Sequence, residues 1–134
     1  MTADERTALN REIAELMGWR HKRTGDERYE DCREASVDHW HTDDGIAYCL
    51  PDFAASLDAL RDGPEAVLRK AFYIPAVELF VDVDGVEDWY FRWIPTRTVQ
   101  HEFPLIGRGR ATTEALARAR AVAKALSALR EATP

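Results

Sequence analysis

The sequence has no long apolar run and only two cysteines among its 134 residues. No stretch of about 18 consecutive apolar residues occurs, so no membrane-spanning helix is predicted. The opening segment, MTADERTALN, also lacks the apolar core of a secretion signal. We therefore expect a cytoplasmic protein that does not associate with membranes, in which Cys32 and Cys49 are reduced thiols.

Catalytic signatures are also missing from the sequence. None of the three serines, Ser36, Ser56 and Ser127, stands in a Gly-x-Ser-x-Gly elbow. His101 and Glu102 would point to opposite faces of a strand, so as neighbours they cannot form a dyad. Because no set of residues meets the geometric requirements of a catalytic site, we expect a protein that is not an enzyme and needs no cofactor.

Side chains with metal-ligand chemistry occur at Cys32, His39, His41 and Cys49. Thiolates and imidazoles suit zinc. Zinc motifs usually supply their ligands in close pairs, whereas here the two cysteines stand alone and only the histidines are paired. We favour exposed histidines and a buried Cys49, and a zinc-dependent hydrolase or nuclease is the alternative.

Charge is distributed unevenly along the chain, whose net charge is -6. Residues 30–102 carry sixteen acidic and six basic side chains, whereas residues 103–134 carry two acidic and six basic ones. Proteins that coat nucleic acids are usually net positive, so duplex nucleic acid is a disfavoured partner. The acidic middle can face a basic partner surface, and the basic end can hold a small anionic ligand.

Apolar residues recur at helical spacing in several segments. Thr2 and Glu5 have capping-box spacing before a helix over about residues 3–17, which Gly18 ends. Asp52 is predicted to cap a second helix that Gly63-Pro64 interrupts, and its second half, which starts at Pro64, ends at Pro75. The longest helix follows Thr113 and has one apolar stripe. This stripe consists of Leu116, Ala119, Val122, Ala123, Leu126 and Leu129.

Strand patterns account for most of the remaining chain. Asp44-Gly45 predicts a hairpin between short strands near residues 37–41 and 46–50. The runs at 77–83, 89–94 and 99–106 predict an antiparallel meander. With a length that allows one hydrophobic core, residues 1–134 are predicted to form a single sandwich-like α+β domain with three or four helices on this sheet.

The aromatic run at residues 89–93 has two faces if it is a strand. Trp89, Phe91 and Trp93 share one face, which we assign to the core beneath the helices. Tyr90 and Arg92 then lie on the other face, with Val99 or His101 as a neighbour across the strands. Aromatic and arginine side chains dominate binding hot spots, so these three residues form an interaction patch if this face is open.

A glycine-rich turn, Gly107-Arg108-Gly109-Arg110, is predicted between the last strand and the longest helix. Two glycines can expose successive backbone amides, and the helix start that follows points its own amides in the same direction. A phosphate or nucleotide would fit there. In the alternative interpretation the glycines only let the strand bend, and the arginines are solvated. The candidate anion-binding residues are Gly107, Arg108, Gly109, Arg110, Thr112 and Thr113.

Several short motifs, taken in order, point to a known family. Leu-x-x-x-Ile-Ala-x-x-Met-Gly-Trp spans residues 9–19, Trp40 and Asp44-Gly45 precede Leu-Pro-Asp-Phe at 50–53, and Ala-Thr-Thr-x-Ala-Leu at 111–116 opens the last helix. This order resembles the phage ABA sandwich domain, a family of small phage and prophage proteins of unknown function with helices packed on an antiparallel sheet.

The resemblance implies a phage or prophage origin and a role in the host cell cytoplasm. It implies no catalytic residues, because the family has no shared ones. Our leading hypothesis is a non-enzymatic binding protein whose partner is a host or phage protein, such as an inhibitor of a host defence protein. A domain that binds phosphate or nucleotides at residues 107–113 is the alternative.

Overall fold

The structure is a computed structural model of the chain, and it describes residues 1–22, 39–42, 44–47, 50–96 and 106–132. These residues form four helices and six strands, which confirms the α+β class. The helices are α1 (Ala3–Leu16), α2 (Leu57–Asp62), α3 (Pro64–Lys70) and α4 (Glu114–Ala132). The strands are β1 (Arg20–Lys22), β2 (His39–Thr42), β3 (Gly45–Ala47), β4 (Tyr73–Val81), β5 (Glu87–Pro95) and β6 (Gly107–Ala111).

The strands form two antiparallel three-stranded sheets, in the orders β1-β2-β3 and β4-β5-β6. The predicted hairpin at Asp44-Gly45 is confirmed, because Thr42 of β2 pairs with Gly45 of β3. The sequence did not predict β1, which has only three residues and pairs with β2. In the larger sheet, β4 and β5 correspond to the first two strands of the predicted meander with different limits, whereas β6 was not predicted as a strand.

The helix expected to run to Pro75 ends earlier, at Lys70, and β4 already begins at Tyr73. The ladder explains why a strand accepts Pro75. Phe72 O accepts a hydrogen bond from Thr96 N at 2.8 Å, and Asp82 N donates to Val86 O at 3.1 Å. In an antiparallel ladder, the backbone N–H and C=O groups of alternate residues point to the partner strand. In β4 those of the even-numbered residues point to β5, and those of the odd-numbered residues point away from it. The missing N–H of Pro75 therefore costs no bond to β5.

The third strand of the meander lies at Gly107–Ala111, where the sequence predicted a turn. The strand predicted at 99–106 falls mostly on residues 97–105, which lie outside the described residues. Gly107 and Gly109 are buried because α4 lies directly on β6. A Cβ atom at Gly109 would lie 2.1 Å from Ala117 O, and one at Gly107 would lie 2.4 Å from Ala121 O. The glycines therefore permit a close helix–strand contact.

Helix α4 packs on the aromatic sheet as predicted. Thr113 caps it, because its Oγ1 accepts from Leu116 N at 3.3 Å. The helix contributes five buried alanines, together with Val122 and Leu126, to one core with Phe91 and Trp93 of β5. The same core includes side chains from the other helices, namely Ile13, Phe53, Leu60 and Leu68. Among the described residues, no helix combines the length and the apolar character needed to cross a membrane.

Helix α1 begins as predicted, with Thr2 Oγ1 accepting from Glu5 N at 3.1 Å. The predicted cap at Asp52 is wrong, because α2 starts at Leu57 and is capped by Ser56. Asp52 instead accepts from Asn10 Nδ2 at 3.0 Å, and Asn10 Oδ1 accepts from Ala54 N at 2.9 Å. Asp52 therefore holds the segment before α2 against α1.

A buried ion pair joins α3 to α4. Glu65 has no exposed surface, and Arg118 Nε donates to its Oε2 at 2.9 Å. The Arg118 guanidinium also lies 5.0 Å from the centre of the Phe91 ring. Burial alone would lower the pKa of Arg118, but the hydrogen bond and charge of Glu65, together with Glu114, raise it overall. Arg118 therefore stays charged inside the core.

We expect Gly109→Ala to lower the free energy of unfolding by about 1–3 kcal/mol, because the new methyl group overlaps backbone atoms of α4. Urea denaturation followed by circular dichroism measures the change. Arg108→Ala, at the neighbouring exposed position, is the control and should change stability by less than about 0.5 kcal/mol. Equal stability of the two variants would contradict the close contact between α4 and β6.

Candidate functional site

Strands β5 and β6 bring the two predicted binding sites together. Tyr90 pairs with Arg110 across the strands, and Arg92 pairs with Arg108. The interaction patch and the arginines of the predicted anion site are therefore direct neighbours on one face of the sheet. We call the surface formed by Tyr90, Arg92, Arg108 and Arg110 the arginine face. His101, the third member of the predicted patch, lies outside the described residues.

The arginine face is open because the opposite face of the same strands carries the core. Phe91 and Trp93 are buried beneath α4, as predicted, and Trp89 is partly buried there. Since side chains alternate along a strand, the residues between them point away from the helices. Arg108 and Arg110 are exposed, and Tyr90 and Arg92 are half-buried.

Two acidic side chains accompany the arginine face. Arg110 Nε donates to both carboxylate oxygens of Asp88, at 3.0 and 2.7 Å, and Arg92 lies 3.4 Å from Glu78. The Arg110 hydrogen bonds lower the pKa of Asp88, and they raise the pKa of Arg110. Arg108 has no ion pair within the described part of the chain. It is therefore the cation of this face that is most accessible to an incoming anion.

A groove of about 540 Å³ lies beside the outward edge of β6, which is the edge that points away from β5, and residues of α1 and α4 also line it. We call it the β6 groove. Among the described residues that line it, four are basic and one, Glu12, is acidic. The basic residues are Arg108, Arg110, Arg120 and Lys124. Tyr90 also contributes to the lining, so the groove is continuous with the arginine face.

Arg120 and Lys124 were not predicted as site residues. Arg120 Nη1 donates to Arg110 O at 2.7 Å. This carbonyl points away from β5, because the backbone groups of Gly107 and Gly109, one residue on from it in the alternation, are the ones that point to β5. Arg120 therefore covers part of the outward edge of β6. The spacing of four residues between Arg120 and Lys124 places both on one side of α4, which is the sequence signal that could have identified them.

The mechanism predicted for anion binding is wrong in one respect. Gly107 and Gly109 belong to a paired strand, so they do not form a turn that exposes successive amides. Thr113 caps α4 and lines a different cavity with Arg6 and Leu116, and exposed Thr112 is not among the groove residues. The structure keeps Arg108, Gly109 and Arg110 together at the β6 groove and separates them from the helix start.

The predicted zinc ligands are only partly described. His39 and His41 lie on β2 two residues apart, whereas Cys32 and Cys49 lie outside the described residues. Within the ranges that the structure describes, no group of three or more histidine, cysteine, aspartate or glutamate residues could hold a metal ion. The zinc-dependent hydrolase therefore gains no support from the described residues.

The Asp88–Arg110 pair should make stability depend on pH. A carboxyl group whose pKa is lowered by folding stabilises the protein above its unfolded pKa of about 3.9, and this contribution is lost as the pH falls through the folded value. Asp88→Asn should therefore be less stable than the wild type at pH 7 and lose this difference at acidic pH. Urea denaturation at several pH values measures it, with Asp84→Asn in the neighbouring turn as control. A difference independent of pH would contradict the pairing.

Comparison with known proteins gives no relative of this chain. No family model, no curated protein and no solved structure matches it. The resemblance to the phage ABA sandwich domain therefore stays a prediction, and a functional proposal has to depend on the arginine face and the β6 groove.

Proposed function

We propose that the protein is a non-enzymatic binding protein that binds an acidic surface of a partner protein through the arginine face and the β6 groove. The observation that carries this proposal is the strand register, which pairs Tyr90 with Arg110 and Arg92 with Arg108 on an open sheet face. Three guanidinium groups and one aromatic ring thus lie side by side.

The chemistry of this surface favours a protein partner. Tyrosine and arginine are among the residues that contribute most to protein interfaces, because they combine a large contact area with hydrogen-bond donors. Arg92 already lies over the Tyr90 ring, at 5.7 Å from its centre, so the two side chains form one contact unit. The forked guanidinium donors of Arg108 suit carboxylate groups.

The origin of the partner is supported by the resemblance alone. A phage or prophage protein of this kind would act on a host protein, and an acidic component of a defence system fits the basic surface. The protein would then inhibit its partner by occupying it. A duplex nucleic acid fits less well, because the whole chain carries a net charge of -6.

Charge-reversal variants test the proposal by pull-down from lysates of several bacterial hosts. We expect one or more proteins to be retained by the wild type, and retention to fall at least tenfold, or about 1.4 kcal/mol, for Arg108→Glu and Lys124→Glu. Lys70→Glu is the matched control, because it makes the same charge change at an exposed position on α3 that does not line the groove.

The pull-down has two outcomes that would contradict the proposal. One is equal retention of the same proteins by the wild type and by all three variants. The other is the absence of any retained protein across the hosts tested. Retention that weakens with added salt supports an electrostatic contact, since the screening length shrinks to about 3 Å at 1 M salt.

A small anionic ligand is the second candidate for the β6 groove. The volume of about 540 Å³ falls within the range of about 300–1,000 Å³ that is typical of small-molecule sites. Lys124 of α4 and Arg108 of β6 both line this volume, so it carries cationic groups from two elements. The groove, rather than the predicted turn, is the feature that favours a phosphate or nucleotide.

Thermal denaturation with inorganic phosphate and a panel of nucleotides tests this second candidate. A ligand that binds only the folded protein raises its melting temperature. We expect a rise for the wild type and for Lys70→Glu, and a smaller rise for Lys124→Glu. Melting temperatures that none of these anions changes would exclude phosphate binding but not the protein partner.

A further inference from the structure

Strand β4 lies at the opposite edge of the sheet from the β6 groove, and it is unusually apolar for an edge. In the order β4-β5-β6, no strand within the described residues pairs with its far side. After Pro75, four of its apolar side chains are exposed, Val77 by 51%, Leu79 by 44%, Phe80 by 57% and Val81 by 58%. A long apolar edge of this kind pairs readily with another strand unless it is protected.

The backbone of β4 is arranged to accept such a strand. The ladder with β5 uses the even-numbered residues, so the N–H and C=O groups of Val77, Leu79 and Val81 point away from β5. Pro75 lacks an N–H on this side, which limits the usable edge to the segment after it. The β6 edge differs, because Arg120 already bonds the outward carbonyl of Arg110.

We propose that two copies of this chain associate through β4, which pairs antiparallel with β4 of the second copy. The twofold axis passes through Leu79, and the two three-stranded sheets become one sheet of six strands. The contact is isologous, as in most homodimers, because the same residues contribute from both copies.

Charge and hydrogen bonding select this register and favour a second copy as the occupant. An axis at Glu78 would place two Glu78 carboxylates directly opposite each other, and like charges in that position are destabilising. An axis at Val77 would place Pro75 opposite Leu79 and lose donors on both strands. With the axis at Leu79, Val77 faces Val81 of the second copy, and every outward N–H of these residues finds a carbonyl.

The side chains also agree with this register. Val77, Leu79 and Val81 lie on one face and form a continuous apolar layer across the axis. On the other face, Glu78 lies opposite Phe80 of the second copy, so no two charges of the same sign lie directly opposite each other. Glu78 is the single charged residue of β4, so pairing this strand with a second copy of itself involves no other charged side chain of the strand.

Sedimentation velocity of the full chain tests the proposal with a matched pair of variants. Val81→Lys places a cation inside the paired segment, whereas Val83→Lys makes the same change in the turn beyond β4, where the side chain is fully exposed. We expect the wild type and Val83→Lys to form dimers, and Val81→Lys to need at least tenfold higher concentration. Circular dichroism verifies that all three are folded.

A cysteine cross-link tests the register. Residues opposite each other in an antiparallel pair have Cα atoms about 5.5 Å apart, whereas the Val83 residues of the two copies would be about 26 Å apart. With Cys32 and Cys49 replaced by serine, Leu79→Cys should give a cross-linked dimer with a short bismaleimide, and Val83→Cys should not. A wild type that stays monomeric at the highest attainable concentration, dimers of Val81→Lys as stable as those of the wild type, or equal cross-linking at both positions would overturn the proposal.

Discussion

The close contact between α4 and β6 is the constraint on which the rest of the larger sheet depends. Gly109 and Gly107 leave no space for a side chain beneath Ala117 and Ala121, so the helix and the strand touch through their backbones. This contact places every second residue of β6 against the helix. Arg108 and Arg110 must then point to the other side, and the arginine face is a direct consequence of two small residues.

Three basic side chains of the same helix lie in three different environments. Arg118 is directed into the core, where buried Glu65 and the Phe91 ring compensate its charge. Arg120 reaches the edge of β6, and Lys124 is exposed in the β6 groove. An ion pair such as that of Glu65 and Arg118 adds little net stability over apolar packing. It does join α3 to α4 through one defined pair of side chains.

The parts of the fold that could be predicted from sequence are those set by local pattern. Helix α1, helix α4 and the β4–β5 hairpin have clear periodicity and recognisable caps or turns, and the structure contains all of them. Strand β6 could not be predicted, because Gly-Arg-Gly-Arg has low intrinsic β propensity and becomes a strand only through packing. Pro75 was wrongly predicted to end a helix for a related reason. A strand accepts a proline when its nitrogen lies on the unpaired side, and only the fold defines that side.

The residues of the candidate site could also be predicted from the sequence only in part. The four residues of the arginine face were each identified by residue type. Their adjacency depends on the register between β5 and β6, which only the fold defines. Thr113 caps α4, and its prediction as a neighbour of the arginines was wrong. Arg120 and Lys124 were missed because the importance of a surface cation depends on the element that lies opposite.

The two edges of the larger sheet differ in a way that bears on aggregation. An exposed apolar edge such as β4 is a common starting point for amyloid-like fibres, in which each added strand offers a new edge to the next. Here the other edge is partly closed by the bond from Arg120 to Arg110 O. Growth by strand addition at β4 would therefore meet, at the other end of the sheet, an edge on which Arg120 already bonds one outward carbonyl.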